Sequence, residues 1–362
     1  MDDQLTTILL YRQRNDLGLY IACTDRFDIC VCMKDPNLQP ITRTIFSDLV
    51  QQVDAAPPAG SVYSRERDGI TYLYAKIPVG NDRIDRFIGK QGDEEAEAEA
   101  ASLRLGADLA KKRRDIVSML KRDRLAGPDR TLGAALDAIA YAGLFRAGAV
   151  LVGTAAYMMF EPLVGRRLPA PTLMTGDLDL ATARLALTAE PPEGMERILK
   201  RADRTFTPIP SLRPGAPPSR FRNAEGYLVD LLTPVRSRAD RNPMSLVGLE
   251  AGAVPLHYLG WLIEDPVPTV ALWGAGIAVN VPQPARFAVH KLILAQRRDQ
   301  ANRHKRMKDL DQARALIEVL RDHDRFALAD AVSDARSRGR KGWAEHIDRS
   351  LNELGLSDSI DE

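Results

Sequence analysis

Two aspartates one residue apart, Asp177 and Asp179, are the part of the sequence that points most directly to chemistry. Side chains alternate between the faces of a β-strand, so both carboxylates would project from one side, about 7 Å apart along the strand. Adjacent carboxylates raise one another's pKa unless a cation lies between them. Mg²⁺ commonly binds one or two carboxylates together with substrate phosphates. The pair therefore predicts metal-dependent phosphoryl or nucleotidyl transfer.

A third acid, Asp230, lies in the middle of an apolar run from Tyr227 to Thr233. A charge inside such a run is costly unless it is paired or binds a metal. Two interpretations stay open. Asp230 either completes a metal site that needs about three carboxylates, or it forms a salt bridge with a neighbouring arginine such as Arg222.

A turn of small residues, Gly153 and Thr154, follows the apolar run Ala149 to Val152 and precedes a sequence with helical character. The run predicts a buried strand. Free backbone N–H groups and a hydroxyl at the start of a helix can hold a phosphate. The alternative is that the small residues serve packing at the strand-to-helix turn.

The elements before this turn are predicted from their patterns. A short amphipathic helix is expected over residues 40–53 and a three-stranded meander over 61–89, with turn signals at Asp68-Gly69 and Gly80-Asn81-Asp82. A charged helix follows over about 92–125, with acids first and bases last, as the helix dipole favours. Its basic end is either a solvated surface or a nucleic-acid contact.

The second half of the chain begins with a helix over 131–142. A Pro/Gly-rich surface loop is expected over 208–218, short strands over 254–263 and 270–281, and helices from Pro284 onward. The fold class is α+β. We expect four parts: an N-terminal segment of unassigned structure (1–58), the meander with the charged helix (59–126), a catalytic core (127–284) and a helical domain (285–362).

Composition sets limits on partners and location. The 362 residues carry a net charge of only +1, so any nucleic-acid surface must be local. The three cysteines, Cys23, Cys30 and Cys32, are an odd set that fits structural thiols in a reducing cytoplasm. The longest uncharged apolar run, 147–160, has fourteen residues and is too short to span a bilayer. We expect a soluble cytoplasmic protein without a membrane partner.

Taken together, Gly153-Thr154-Ala155, Asp177-Leu178-Asp179 and Asp230 resemble the signature of the DNA polymerase β nucleotidyltransferase superfamily. Residues 288–295 and 305–311 resemble the Lys-Leu and Lys-Asp-x-x-Asp motifs of AbiEii/MenT-type nucleotidyltransferase toxins. The stretch 72–165 is similar to a bacterial family known simply as nucleotidyltransferase. The resemblance covers about residues 60–322. The chain has Thr154 where the superfamily more often has serine, which preserves the hydroxyl.

The resemblance implies a polymerase β-like core of mixed sheet and helices that moves an NMP from an NTP to an acceptor hydroxyl. Asp177, Asp179 and Asp230 would be catalytic and hold two Mg²⁺ ions. The nucleotide would be bound by Gly153, Thr154, Lys291 and Asp309; Asp311 departs from the motif spacing and receives no role.

Lys291 and Asp309 are eighteen residues apart, which is five helical turns, so they would lie on the same side if the helix between them is unbroken. Two alternatives stay open. Lys291 can extend outward from a core helix without contacting a phosphate, and Asp309 can be a helix cap or the ion-pair partner of Lys305. His290, beside Lys291, is expected to be a core or surface histidine rather than an acid or base.

The resemblance implies an RNA 3′ end, such as that of a tRNA, as acceptor, and a toxin of this kind would have an antitoxin partner or belong to a phage-defence system. The segment 286–308 has eight Lys or Arg residues against one acid, Asp299. The backbone of an RNA acceptor suits its basic residues Arg297, Arg298, Arg303, Lys305, Arg306 and Lys308. The alternatives are a protein or small-molecule hydroxyl as acceptor, or a non-catalytic module that binds nucleic acid or a partner through the meander and charged helix.

Overall fold

The computed structural model describes residues 37–169, 176–183, 193–211, 213, 215–235, 242–246 and 248–357. Within these ranges the chain is a mixed α+β protein, as the sequence predicts. The three cysteines and most of the N-terminal segment lie outside the described residues.

The N-terminal part contains the predicted helix, meander and charged helix. Its elements are α1 (Pro40–Asp54), β1 (Ser61–Arg67), β2 (Ile70–Val79), β3 (Asp82–Lys90) and α2 (Glu94–Arg122). The strands form an antiparallel sheet with β2 in the middle. Alternate residues of β2, from Leu73 to Val79, are buried, and they face α2, where Ala100 and Leu103 are buried. Asp93 caps α2 by accepting from the N–H of Ala96.

A second sheet forms the centre of the molecule. In chain order the elements are α3 (Arg130–Tyr141), β4 (Val150–Val152), α4 (Gly153–Tyr157), α5 (Phe160–Val164), β5 (Asp177–Ala181), α6 (Met195–Ala202), β6 (Thr207–Pro208), β7 (Arg220–Arg222), β8 (Leu228–Pro234), β9 (Met244–Leu246) and β10 (Ala251–Leu256). Strand β5 lies between β4, which is antiparallel to it, and β8, which is parallel. Strands β7 and β10 share the other edge of β8.

The strand predicted over 254–263 is only partly correct. Strand β10 ends at Leu256, and the next residues form a short helix, α7 (Leu259–Leu262). Tyr258 has a left-handed backbone with φ of 66°, which turns the chain out of the extended conformation. The strand predicted over 270–281 is a hairpin of β11 (Val267–Ala271) and β12 (Ile277–Val281).

The C-terminal part is helical, as predicted. It comprises α8 (Pro284–Arg297), a 3₁₀ turn (Gln300–Asn302), α9 (Arg303–His323), α10 (Arg325–Ser337), a wide turn (Arg340–Ala344) and α11 (Glu345–Leu354). The condition of an unbroken helix from Lys291 to Asp309 is not met, since α8 ends at Arg297 and α9 begins at Arg303. Arg298 is extended, and Asp299 caps the 3₁₀ turn by accepting from the N–H of Asn302, so the chain reverses and α9 packs against α8.

An aromatic contact joins α8 of the C-terminal part to α4 and α5, the short helices that follow β4. The rings of Phe160 and Phe287 meet edge to face, with centroids 5.0 Å apart, and Tyr157 packs against both. All three side chains are buried. Among the described helices, none has the length and apolar content needed to cross a membrane.

Candidate active site

The three predicted acids lie on one face of the central sheet. Strands β5 and β8 run parallel, and Asp179 is the register partner of Asp230. Asp177 is two residues before Asp179 and therefore points to the same side, while Leu178 and Leu180 are buried on the other. Neighbouring strands lie about 4.8 Å apart, so the pairing places the Asp230 backbone next to that of Asp179.

Gly153 lies directly against this acidic face. Val152 of β4 is the register partner of Asp179, and Gly153 is the next residue. Its φ is 67°, and a Cβ added there would lie 2.4 Å from Oδ2 of Asp179. Only glycine satisfies both the left-handed backbone and the close approach. Thr154, the second residue of α4, is buried.

Asp230 is held by an arginine from the adjoining strand. Nε of Arg220 donates to Oδ1 of Asp230 at 2.5 Å, and Nη2 donates to Oδ2 at 2.6 Å. The sequence left a salt bridge with Arg222 open, but Arg222 is the register partner of Leu228 and Arg220 that of Asp230. Period-two alternation puts both arginines on one face of β7, so only the strand register selects between them.

The negative charges of Asp177 and Asp230 repel that of Asp179. Burial, followed by repulsion from Asp177 and Asp230, raises the pKa of Asp179 to about 7. The charges of Lys291 and Arg220 act on this pKa in the opposite direction. Near neutral pH the face therefore holds a carboxylate whose negative charge is not fully balanced.

A buried ion-pair cluster forms the cationic side of the site. Nζ of Lys291 donates to Oδ1 of Asp309 at 2.7 Å, and Nε of Arg298 donates to Oδ2 at 3.0 Å. Lys291 and Asp309 are both buried, and Lys291 also lies 5.2 Å from the ring centroid of Phe287. Lys291 is thus a fixed, paired charge that acts on Asp179, rather than a lysine that extends into solvent.

Tyr227 and Lys308 interact electrostatically with the acids, although the sequence did not predict either as a residue that contacts the nucleotide or the metal. Tyr227 is buried, but its hydroxyl finds no hydrogen-bond partner among the described residues. Burial, then the charges of Asp129, Asp177 and Asp179, raises its pKa. Lys308 was predicted to bind RNA. Burial and the charge of Lys291 lower its pKa, and the charge of Asp177 acts to raise it. No local sequence pattern predicts that Tyr227 and Lys308 interact with the acids.

The remaining basic residues predicted to bind RNA are distributed between internal contacts and solvent. Arg297 lies over the ring of Tyr258, and Arg306 forms an ion pair with Glu353. Arg303 and Lys305 are exposed. The sequence left a core or a surface position open for His290, and the structure buries it. Burial lowers its pKa to about 3, so it is neutral at physiological pH.

Comparison with known proteins decides the class of chemistry. A family model described as Nucleotidyltransferase matches residues 130–337, more than half of the chain. The chain belongs to this nucleotidyltransferase family. The match extends from the start of α3 to the end of α10, and it includes Gly153, the three acids and the Lys291–Asp309 pair. No curated protein and no solved structure matches the chain. As a nucleotidyltransferase the protein is an enzyme that transfers nucleotidyl groups. Strands β1–β3 and helix α2 lie before residues 130–337, the region that the family model matches.

Proposed function

We propose that this nucleotidyltransferase moves an NMP from an NTP to an acceptor hydroxyl with the help of Mg²⁺, and that Asp177, Asp179 and Asp230 are its catalytic acids. The observation that carries the proposal is the pairing of Asp179 with Asp230 across parallel strands, with Asp177 on the same face. Gly153 lies against Asp179, so the turn that would receive the triphosphate adjoins the acids.

The donor chemistry of the face suits Mg²⁺, which prefers carboxylate oxygens. A pKa of about 7 at Asp179 marks a negative charge that a divalent cation would balance. Across the described ranges, no three His, Cys, Asp or Glu side chains form a preassembled metal site. Since both oxygens of Asp230 accept from Arg220, we expect Asp177 and Asp179 to bind first and Asp230 to join by leaving Arg220.

Bound Mg²⁺ would neutralise the triphosphate and lower the pKa of the attacking hydroxyl. The protein's own residues would position the nucleotide. The Gly153 backbone and Thr154 would hold phosphate oxygens, and Lys291 would face them with its charge. Because Asp309 already fixes Nζ of Lys291, the ammonium group would need no rotamer search when the nucleotide arrives. Lys308, whose charge interacts with that of Asp177, would add a second cation for the phosphates.

For the acceptor we propose the 3′ end of an RNA such as a tRNA. The exposed Arg303 and Lys305 lie at the start of α9, which also carries Lys308 and Asp309. Basic residues that continue from the active site onto the surface suit a polyanionic acceptor. A protein or small-molecule hydroxyl would not require them.

Labelled transfer tests the proposal. The purified protein is incubated with Mg²⁺, total cellular RNA and each of the four NTPs labelled at the α-phosphate. We expect label in RNA, lost with EDTA and with Asp179→Asn. We also expect loss when the RNA is first treated with periodate, which destroys the 3′-terminal diol. Asp330→Asn, a matched change at an exposed acid on α10, should transfer normally.

The outcomes separate the alternatives. Label confined to protein would refute RNA as the acceptor and support a protein hydroxyl. Absence of transfer to RNA, protein and small molecules with every NTP would refute the enzymatic proposal as a whole.

A further inference from the structure

The outward face of the N-terminal sheet carries a group of aromatic rings. Because β2 alternates, its residues Tyr72 and Tyr74 point away from α2. Tyr63 of β1 and Phe87 of β3 are the register partners of Tyr74 on its two sides. We call Tyr63, Tyr72, Tyr74 and Phe87 the aromatic face.

The four rings form a continuous surface. Tyr63 and Tyr74 stack with centroids 5.7 Å apart and planes inclined by 20°. Phe87 contacts Tyr74 at 5.4 Å and Tyr72 at 5.9 Å. The side chain of Phe87 is 56% exposed. An exposed aromatic group of this kind, outside the core, is typical of an interaction site.

Cations surround the aromatic face. The guanidinium of Arg65 lies 5.1 Å from the ring centroid of Tyr63 and 5.4 Å from that of Tyr74, and Nζ of Lys76 lies 5.4 Å from Tyr63. By register, Arg83 and Lys90 point to the same side. The acid on this side between residues 70 and 90 is Asp85, which accepts from the hydroxyl of Tyr63. The face is therefore positive in a chain whose net charge is only +1.

The sheet is joined firmly to the catalytic core. The N–H of Gly80, in the β2–β3 turn, donates to Asp137 of α3 at 2.7 Å, and the N–H of Asn81 donates to the carbonyl of Arg201 at 3.0 Å. A cavity of about 630 Å³ lies at this junction, and its lining has mixed charge, with Arg130, Lys200, Arg201 and Arg204 beside Asp82, Asp203 and Glu225. The N-terminal sheet is therefore anchored to α3 and α6 of the family region.

We propose that the aromatic face binds single-stranded RNA, with bases stacked on its rings and phosphates paired with Arg65, Lys76, Arg83 and Lys90. Aromatic rings flanked by cations on a sheet are suited to unpaired nucleotides, whose bases offer flat surfaces that a duplex hides. The charge of the face excludes a basic partner and favours a polyanion. The inference deepens the proposed function, on which it rests, by assigning a surface that holds the acceptor RNA upstream of its reacting end.

Fluorescence anisotropy tests the proposal on the full chain. The probe is a fluorescein-labelled single-stranded RNA of about 12 nucleotides and mixed sequence. Asp179→Asn serves as the background so that no transfer occurs. We expect Phe87→Ala and Tyr74→Ala each to weaken binding about tenfold, because each removes a stacking surface. Tyr74→Phe keeps the ring and should bind as the background does. Arg65→Gln should lower the slope of log K against log salt concentration by about 0.7.

The matched control is Phe326→Ala on α10. Phe326 is 71% exposed and also lies beside an arginine, Arg325, whose guanidinium is 5.1 Å from the ring centroid. This change removes an equivalent ring away from the N-terminal sheet and should leave RNA binding unchanged. Thermal unfolding of every variant identifies any loss of fold; Phe87→Ala, at an exposed position, should retain it.

Three results would overturn the proposal: unchanged RNA binding by folded Phe87→Ala, equal affinity for a duplex of the same sequence, or loss of a dimer rather than of RNA binding in light scattering. The transfer assay separates this from failure of the proposed function. If RNA is labelled but the aromatic-face variants bind RNA normally, the proposed function holds and the proposed RNA site fails. If the aromatic face binds RNA but only protein is labelled, the RNA site holds and RNA fails as the acceptor.

Discussion

Lys291 and Asp309 form a buried ion pair, with Nζ of the lysine 2.7 Å from Oδ1 of the aspartate. The pair joins the middle of α8 to the second turn of α9, and Arg298 occupies the other carboxylate oxygen. A single buried carboxylate therefore holds two cations, Lys291 from the middle of α8 and Arg298 from the chain reversal between the two helices. The same lysine acts electrostatically on Asp179, which links the helical part to the acids on the sheet.

Removing this carboxylate should destabilise the fold. Asp309→Asn leaves Lys291 and Arg298 without a counter-charge at a buried position, and we expect a loss of about 3 kcal/mol in the free energy of unfolding. Urea denaturation measures it. Glu196→Gln breaks the exposed pair of Glu196 with Lys200, which at 2.6 Å is about as short, and should cost less than about 1 kcal/mol. Equal losses for the two variants would contradict the role assigned to burial.

Gly153→Ala should abolish activity as well as strain the backbone. The new Cβ would lie 2.4 Å from the carboxylate of Asp179, so either the turn or the acid must move. Gly69→Ala is the matched control, because its φ of 73° is similar and nothing lies within 4 Å of its added Cβ. Both changes should cost about 1–2 kcal/mol for the left-handed backbone. Transfer assays should show loss only for Gly153→Ala; normal activity there would refute the close approach.

The stability of the protein without divalent cations should depend on Asp179 as pH rises. Its pKa is about 7 in the fold, above the ordinary value of 3.8, so the folded state holds its proton longer than the unfolded chain. The stability contributed by protonated Asp179 is complete below about pH 4 and is lost as pH rises to about 7 and beyond. Asp179→Asn should therefore be more stable than the natural chain at pH 8, by roughly 2–4 kcal/mol, and equal to it near pH 4.

Denaturant titrations at the two pH values in EDTA measure this difference. A stability advantage of Asp179→Asn that is the same at pH 4 and pH 8 would show that repulsion among the acids is not its source.

Mg²⁺ should stabilise the natural chain by binding among the acids. At a concentration about 100 times the dissociation constant, a ligand that binds only the folded state adds about 2.7 kcal/mol. We expect the melting temperature to rise on addition of Mg²⁺, the rise to be lost in Asp179→Asn and to be kept in Asp330→Asn. Differential scanning fluorimetry at pH 8 measures it. The same rise in both variants would place the ion elsewhere.

Local patterns in the sequence were sufficient for several parts of the structure. The meander, the charged helix and the strands bearing the acids follow from periods of two and 3.6 residues. The shared face of Asp177 and Asp179 follows from alternation alone. The turn at Gly153 is visible in residue type, because glycine takes up a left-handed backbone at low cost.

Other relationships depended on the tertiary structure. Strand register paired Asp230 with Arg220 rather than Arg222. Packing of α8 on α9, not five turns of one helix, brought Lys291 to Asp309. The aromatic face exists because three strands align rings from separate parts of the sequence. Alternation and backbone preference act between near neighbours and are written into the sequence, whereas register and helix packing are settled by burial summed over the whole fold.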